Sequence, residues 1–395
     1  MKLTTRLAVA SLVGVILVSS CGGEGDDDEK GSDSLEADGV LAEAGCPATV
    51  VIQTDWFPEA EHGGSYQLVG PGYTIDKDAG AVTGPLYAGG SDTGVDIEIR
   101  AGGPFLGGQS VISTMFQDPD VLLGYVNTDQ AIKSSKDFPT LAVVAPLDIS
   151  PQMIMWDADA HPDAKTIADI AAEVDTVSVF GAVAYMEYLI AEGIVPADKV
   201  DPNNQGDKLL VTEGETVAHQ GFATSEPFQY ANLQTGAINT AYQLIHDTGW
   251  NYYPEALSIR SDRVDENREC LSALVPILQQ AQLDYVADHA AADEVLISAN
   301  TTYASFWQYG QADADFSVEQ QIALHIVGNG ATPTFGDLEE DRVAAFIDKA
   351  VPIFEAQGID VKDGLTVADI VDNSFLDPTI TYVGPVPADQ EVDGP

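Results

Sequence analysis

The chain has 395 residues, enough for two α/β lobes of ordinary size after a leader and a linker are set aside. It carries 63 acidic and 16 basic residues, a formal net charge of −47. This balance argues against nucleic acid as a partner, because nucleic-acid binding requires a basic surface. The acidic residues are spread along the whole chain, which is typical of a protein from a saline habitat where salt screens self-repulsion. An ordinary acidic exported protein is the alternative.

The N-terminus has the order of charge, apolar run and small residues that marks a secretory signal. Two basic residues precede an apolar run over residues 7–18, which is too short to span a bilayer as a mature helix. The run ends in Val18-Ser19-Ser20-Cys21, and this ending resembles bacterial lipoprotein signals. We therefore expect residues 1–21 to be a signal peptide with a lipidated Cys21, which anchors the protein to the outer face of the cell membrane. An ordinary signal peptide with an unrelated cysteine is the alternative.

The other cysteines and the histidines carry little further chemistry in the sequence. Cys46 and Cys270 are left as a possible disulfide pair in an exported protein, although two free thiols fit the sequence equally well. The sequence contains no CxxC pair and no group of histidines at metal-ligand spacing. It therefore predicts neither a metal site nor a cofactor.

The rest of the chain alternates between strand-like and helix-like segments, which predicts α/β units on largely parallel sheets. Residues 22–47 are rich in Gly, Asp, Glu and Ser and are expected to be a disordered acidic tether. We predict a first lobe from residues 48–146 and 259–380, a second lobe from residues 147–258, and a polar tail over 381–395. The chain would cross out near Pro146 and return near Ile259.

The predicted elements follow from short β-branched runs and from apolar residues at helical spacing. The predicted strands are 49–54, 94–100, 121–126, 141–145, 153–156, 176–180 and 209–211. The predicted helices are 109–116, 128–134, 167–173, 182–192, 266–289, 304–309, 318–327 and 339–357.

The segment most suggestive of function follows the first predicted strand and reads Thr54-Asp55-Trp56-Phe57-Pro58-Glu59-Ala60-Glu61-His62-Gly63-Gly64-Ser65-Tyr66. In open α/β sheets, ligands bind beyond the carboxyl ends of the strands. An acidic residue beside two aromatic residues at that position offers a hydrogen-bond acceptor and a stacking surface together. A core role for Trp56 and Phe57, with Asp55 as a helix cap, is the structural alternative.

This segment resembles the strand-one motif of exported binding proteins for thiamine pyrimidine precursors, within the broader family that binds aliphatic sulfonates, taurine and nitrate. Two further segments support the resemblance. Ser225-Glu226-Pro227 is similar to the Asn-Glu-Pro turn of the family's second lobe, and Asn373-Ser374-Phe375-Leu376 is similar to its C-terminal ending. The resemblance implies a two-lobed, type II periplasmic-binding-protein fold, with the ligand in the cleft between the lobes and hinge closure around it.

The resemblance also implies which side chains meet the ligand. Asp55 and Trp56 would contribute from the first lobe and Glu226 from the second, with the ring stacked on Trp56 and its nitrogen edge paired with the carboxylates. Phe180 ends a strand at a place where family members line the cleft. The candidate ligand-binding residues are therefore Asp55, Trp56, His62, Tyr66, Phe180 and Glu226. The glycine-rich segment 102–108 is expected to be a plain loop at the rim, because it lacks the Lys-Ser or Lys-Thr of a phosphate loop.

The function implied is that of a monomeric, lipid-anchored receptor that delivers a small nitrogen heterocycle to an ABC-transporter permease, without covalent chemistry. A receptor for a sulfonate, taurine or nitrate is the first alternative, but it would need a cationic group. The cationic candidates Arg100, Lys133, Lys136, Arg260 and Arg263 all lie outside the matching motifs. An exported enzyme on the same fold is a second alternative, although no nucleophile motif supports it. A receptor that serves a sensor instead of a permease is the third.

Overall fold

Two β-sheets organise this computed structural model, which describes residues 39–181, 183–203, 209–234 and 236–384. The strands are β1 Thr49–Gln53, β2 Thr74–Asp76, β3 Ala81–Ala88, β4 Ser91–Arg100, β5 Val121–Val126, β6 Thr140–Val144, β7 Gln152–Asp157, β8 Thr176–Ser178, β9 Val200–Asp201, β10 Val217–Phe222, β11 Thr240–Leu244 and β12 Ala256–Arg260. The seven-stranded sheet has the order β2-β3-β4-β1-β5-β12-β6, and the five-stranded sheet has the order β11-β7-β10-β8-β9. Each sheet is the centre of one lobe.

Helices cover the sheets and fill the later part of the chain. They are α1 Val40–Glu43, α2 Gly63–Tyr66, α3 Val111–Gln117, α4 Thr128–Ser134, α5 Ile167–Glu173, α6 Ala184–Ala191, α7 Leu209–Glu213, α8 Glu226–Ala231, α9 Arg268–Ala287, α10 Ala290–Tyr303, α11 Gln311–Ala323 and α12 Glu340–Ala356. Local sequence fixes the start of α5, because Thr166 and Asp169 form a reciprocal capping box there. Within the described residues, no helix combines the length and the apolar composition needed to cross a bilayer.

The strand directions in the first sheet determine where a ligand site can lie. β1 pairs in parallel with both β4 and β5, so the carboxyl ends of these strands share one edge. β12 runs antiparallel to β5 and pairs Ala256 with Val126, the last residue of β5. The residue just before β12 therefore lies at the edge where β1 and β5 end. That residue is Glu255.

The two crossings between the lobes are tied together by Arg342 of α12. Its guanidinium donates to Asp148 Oδ1 at 2.6 Å on the outgoing crossing and to the Tyr252 carbonyl at 3.1 Å on the returning one. It also lies over the Tyr253 ring, 3.8 Å from the ring centre. The returning strand begins at Ala256, so residues 256–258, assigned to the second lobe by the sequence, belong to the first sheet.

The predicted α/β fold with two lobes is confirmed, and most of the predicted elements are present within a few residues of their expected bounds. One strand is wrong. The apolar residues 209–211 belong to the helix α7, in which Leu210 is buried in a small cluster with Met155 and Tyr230. A short apolar run does not distinguish a strand from a helix by its periodicity.

A second correction concerns residues 304–309, which were predicted to be helical. The helix α10 ends at Tyr303, and Ala304 adopts a left-handed conformation with φ of 51° that terminates it. The following segment is extended and irregular, and it carries Trp307 and Tyr309 towards the motif after β1. Its aromatic residues therefore support the candidate site.

The predicted tether is also too long at its C-terminal end. Val40–Glu43 forms the helix α1, whose Leu41 is fully buried in the hydrophobic core that packs on the seven-stranded sheet, called here the first core. Cys46 is bonded to Cys270 of α9, so the pairing that the sequence left open is present. The tail is ordered at its start, because Tyr382 donates its backbone N–H to Asn329 at 2.7 Å. The signal, Cys21, the tether up to residue 38 and the tail from residue 385 lie outside the described residues.

Candidate functional site

The motif that follows β1 is held against the glycine-rich loop after β4. Thr54 accepts a hydrogen bond from Gly102 N–H at 3.2 Å and donates to the Trp56 carbonyl at 2.8 Å. Gly103 N–H donates to the Asp55 carbonyl at 2.8 Å. A Cβ atom on Gly102 would lie 2.2 Å from the Asp55 carbonyl carbon, so only glycine allows this approach. The loop was expected to be a plain rim, and instead it fixes the backbone that presents Asp55 and Trp56.

Asp55, His62 and Glu255 meet at the carboxyl edge of the first sheet. His62 is fully buried, and its Nε2 atom lies 3.0 Å from Asp55 Oδ1 and 3.7 Å from Glu255 Oε2. The imidazole ring packs edge-on against Tyr125 of β5, with ring centres 4.8 Å apart. Asp55 and His62 were both predicted from the motif. Glu255 comes from a segment about 190 residues further along the chain, brought in by the antiparallel pairing of β12.

Glu255 is held in an unusual backbone conformation beside the other two. Its φ is 49°, in the left-handed region that non-glycine residues rarely adopt, and its N–H donates to Asn127 Oδ1 at 2.8 Å. The residue is only 6% exposed. Its Oε2 atom accepts no hydrogen bond from any residue that the structure describes. A buried carboxylate oxygen without a partner costs free energy, so the site is set up to receive a donor or a cation.

A second carboxylate bridges the two lobes. Glu61 lies in the 3-10 helix Ala60–His62 and is 5% exposed. Its Oε1 atom accepts a short hydrogen bond from the hydroxyl of Thr224, which is buried between β10 and α8 of the second lobe. The Glu61 carboxylate therefore lies between the two lobes, and its hydrogen bond to Thr224 connects them.

Burial and mutual repulsion act on these carboxyl groups. Burial raises the pKa of Glu255, and the neighbouring Asp55 and Glu61 raise it further. Burial likewise raises the pKa of Glu61, although the Thr224 hydroxyl and His62 oppose this. The pKa of Glu59 is also raised, first by burial and then by the surrounding carboxylates Glu61, Glu255, Asp55 and Glu226.

The charge balance of the site is strongly negative. Among the residues that the structure describes, no lysine or arginine forms an ion pair with Asp55, Glu59, Glu61 or Glu255. Clustered carboxylates in a partly buried site must either take up protons or meet a cation. The arrangement is therefore suited to a ligand with positive charge or several N–H donors.

Aromatic residues form one wall beside the carboxylates. Trp56 is half-buried and meets Trp307 edge-on, with ring centres 6.0 Å apart. Phe57 is buried and lies parallel to Trp307, with an angle of 8° between the ring planes. Tyr309 accepts a hydrogen bond from the Ala60 N–H at 3.0 Å. This packing fixes Trp56 next to Asp55 and leaves part of its surface accessible.

The remaining predicted site residues have different positions. Glu226 begins α8 of the second lobe, and its Oε2 atom accepts from the Phe222 N–H at 2.7 Å. Glu226 is also one of the carboxylates whose charge raises the pKa of Glu59. Tyr66 is buried in the core around the first sheet, and this burial raises the pKa of its hydroxyl. Phe180 is 68% exposed, and its backbone N–H donates to Gln220 in the second lobe.

Sequence reasoning missed four residues of this site. Glu59 and Glu61 lie inside the motif itself, and their spacing around Ala60 was the available signal. Glu255 and Thr224 had no local signal in the sequence. Glu255 reaches the site because β12 returns from the second lobe, and Thr224 reaches it because the two lobes are in contact.

The comparisons with known proteins agree with the geometry of the fold. No family model matches the chain. The nitrate/nitrite binding protein NrtA of Synechococcus elongatus is 30% identical over an alignment of 127 residues, and the match covers 30% of this chain. The matched part spans only 27% of the length of that curated relative.

Solved structures match over a larger part of the chain. The periplasmic aliphatic sulphonate binding protein SsuA from Escherichia coli has a TM-score of 0.51 and 12% identity, and the match covers 86% of this chain and 96% of that one. The alkanesulfonate-binding protein SsuA from Xanthomonas axonopodis pv. citri, bound to MOPS, has a TM-score of 0.50 and 12% identity, and the match covers 82% of this chain and 98% of that one. The chain therefore has the two-lobed fold of the periplasmic binding proteins. The predicted resemblance to nitrate- and sulfonate-binding proteins is confirmed by these similarities.

Proposed function

We propose that this chain is the extracytoplasmic receptor of an ABC importer and that it binds a small nitrogen heterocycle of the thiamine-precursor pyrimidine type. The observation that carries the proposal is the group of carboxylates in the interlobe cleft beside a half-exposed tryptophan. A cationic or amidine-like edge compensates the charge of these carboxylates, and charge-assisted hydrogen bonds of this kind are about twice as strong as neutral ones.

The individual roles follow from the positions of the side chains. Trp56 supplies the stacking surface next to the motif backbone. Asp55 lies in the first lobe and Glu226 in the second, and their carboxylates accept hydrogen bonds from the exocyclic amine and from a protonated ring nitrogen of the ligand. Because acceptors come from both lobes, the ligand favours the closed arrangement of the cleft.

A receptor for a sulfonate or nitrate is the second candidate. It is supported by the names of the relatives, since NrtA is a nitrate/nitrite binding protein and SsuA binds sulfonates. The described carboxylates of the cleft oppose it in the metal-free protein, because ionised carboxylates repel an anion. Arg100 is already paired with Glu98 and Asp118, at 2.5 and 2.7 Å.

Delivery to a permease and attachment to the membrane are part of the same proposal. The lipoprotein ending at Cys21 would tether the receptor on the outer face of the membrane, close to its permease. Palmitate labelling of the intact chain in cells, with Cys21→Ser as the comparison, tests the anchor. Loss of label in the variant supports it, and retained label contradicts it.

A thermal-shift experiment tests the ligand class. The mature chain is heated in molar salt with formylaminopyrimidine, hydroxymethylpyrimidine, taurine or nitrate, because a ligand that binds the folded state raises the melting temperature. We expect stabilisation by a pyrimidine alone. Stabilisation by taurine or nitrate alone would overturn the assigned ligand and favour the second candidate.

A further inference from the structure

We propose that Asp55, His62 and Glu255 bind a transition-metal ion of the Zn²⁺ type at the base of the cleft. This site is additional to the organic ligand proposed above. The ion takes one oxygen from each carboxylate, and the second oxygen of Asp55 is left for the organic ligand.

The spacing of the three ligand atoms fits such an ion. His62 Nε2 lies 3.0 Å from Asp55 Oδ1 and 3.7 Å from Glu255 Oε2. All three atoms lie within 4.8 Å of one another. Ligands at the usual zinc distances of about 2.0–2.2 Å are separated by roughly 3.3–3.6 Å around a tetrahedral ion. Small side-chain adjustments would therefore bring all three atoms to bonding distance.

The buried oxygen of Glu255 is the independent sign that something binds here. A single N–H on His62 Nε2 can serve Asp55 at 3.0 Å, but the distance of 3.7 Å to Glu255 Oε2 is too long for a hydrogen bond. That oxygen has no hydrogen-bond partner among the described residues, and only 6% of the surface of Glu255 is exposed. An ion among the three atoms would satisfy the carboxylate oxygen and the imidazole nitrogen together.

The ligand types and the exposure of the site indicate the class of ion. An imidazole nitrogen favours Zn²⁺ and its transition-metal neighbours, whereas Ca²⁺ and Mg²⁺ prefer sites made only of oxygen. The Asp55 side chain is 34% exposed, so the site opens towards the cleft. An ion can enter from that side, and a water molecule can complete a four-coordinate shell.

A second group of possible ligands elsewhere in the chain provides an internal comparison. His289, Asp293 and Asp315 also bring three ligand atoms within 4.8 Å of one another. Here the buried Asp293 already accepts hydrogen bonds from Tyr285 at 3.1 Å and from Gln311 at 2.6 Å, in addition to its contact with His289. This cluster is satisfied without an ion, so we expect it to contribute little to metal binding.

Calorimetric titration with Zn²⁺ tests the inference. The mature chain, without a polyhistidine tag, is treated with a chelator, desalted and titrated with Zn²⁺ and separately with Ca²⁺. We expect one Zn²⁺ per chain, bound more tightly than Ca²⁺. Glu255→Gln keeps the shape of the side chain and removes its charge, and it should weaken Zn²⁺ binding at least tenfold. Asp315→Asn removes a ligand from the second cluster and should bind Zn²⁺ as the wild type does.

Anomalous scattering at the zinc edge from crystals of the loaded protein locates the ion. A peak between Asp55, His62 and Glu255 supports the inference. No Zn²⁺ binding by the wild type, unchanged binding by Glu255→Gln, or a peak only at His289 would overturn it.

The same sample separates this inference from the proposed function. Binding of a pyrimidine without any binding of Zn²⁺ would remove the metal site and leave the receptor proposal intact. Binding of Zn²⁺ with no response to a pyrimidine would support the metal site and count against the assigned ligand.

Discussion

The hydroxyl of Thr224 in the second lobe donates a hydrogen bond to the Glu61 carboxylate in the first lobe, and both side chains are buried. The two residues belong to different lobes, and the two crossings that join the lobes both accept hydrogen bonds from Arg342. Because hinge opening would separate the partners, this hydrogen bond belongs to the closed arrangement of the cleft. It links closure of the lobes directly to the residues of the candidate site.

Replacing Thr224 tests this link. Thr224→Val removes the hydroxyl and leaves the buried Glu61 without its donor, at a cost of about 1–3 kcal/mol to the closed state. We expect ligand affinity to fall by roughly ten- to a hundredfold, and the ligand-free protein to show a larger radius of gyration in solution scattering. Thr224→Ser keeps the donor and should behave like the wild type. Equal affinity in the valine variant would show that the bond does not stabilise closure.

The carboxyl groups of the cleft predict a specific pH dependence of stability. The pKa of Glu255 is raised above 4.5 by burial and by Asp55 and Glu61, and burial also raises the pKa of Glu61 and Glu59. The folded state therefore holds protons that the unfolded state has released, and the free energy of unfolding falls as pH rises from about 4.5 through the folded pKa values. Urea unfolding of the ligand-free protein across pH 4.5–8, in molar salt with a chelator, measures this fall.

Glu255→Gln should reduce that fall, because it removes one of the buried acids. We expect the variant to be more stable than the wild type at neutral pH and to differ least near pH 4.5. Asp78→Asn, in the exposed turn after β2, is the matched control and should leave the pH profile unchanged. A Glu255→Gln profile that follows the wild type at every pH would contradict the placement of a strained acid in the cleft.

Trp56 is predicted to supply the stacking surface for the ligand. Trp56→Ala should weaken binding by about 1–3 kcal/mol, the value of aromatic stacking on a nucleobase. The fold should persist because Phe57 and Trp307 still pack together beneath it. Trp56→Phe keeps a ring and should lose less. Calorimetric titration of both variants makes the comparison, and wild-type affinity in the alanine variant would remove Trp56 from the site.

Gly102 is predicted to be required for the geometry of the motif. Gly102→Ala would place a Cβ atom 2.2 Å from the Asp55 carbonyl carbon, so the loop and the motif must move apart. We expect a loss of stability of about 1–3 kcal/mol, as for other overpacked sites, together with weaker ligand binding. Gly328→Ala meets nothing nearer than 3.7 Å and is the control. Chemical denaturation measures both variants, and equal stabilities would contradict the close approach.

The fold could be predicted largely because its signals are local. The β-branched run of β1, the capped start of α5 and the long amphipathic helix α9 each read correctly from neighbouring residues. The errors arose where short segments depend on tertiary contacts. Leu210 belongs to a helix because it packs on Met155 and Tyr230. Leu41 lies in a helix because its side chain is buried in the first core.

The candidate site could be predicted only in part, for a related reason. Asp55, Trp56 and His62 lie in one contiguous motif, so one strand end was enough to point to them. Glu255 reaches the site only because β12 is antiparallel to β5, and Thr224 only because the lobes are closed. No spacing in the sequence encodes either contact. The grouping of Asp55, His62 and Glu255 could not be predicted either, because Glu255 is far from the other two residues in the sequence.

The central claim is that carboxylates from both lobes recognise a nitrogen heterocycle. Calorimetric titration of the wild type and of Glu226→Gln with formylaminopyrimidine tests it most directly, with taurine titrated in parallel. We predict binding of the pyrimidine by the wild type, at least tenfold weaker binding by the variant, and no binding of taurine. Binding of taurine in place of the pyrimidine, or equal pyrimidine affinity in both proteins, would contradict recognition by these carboxylates.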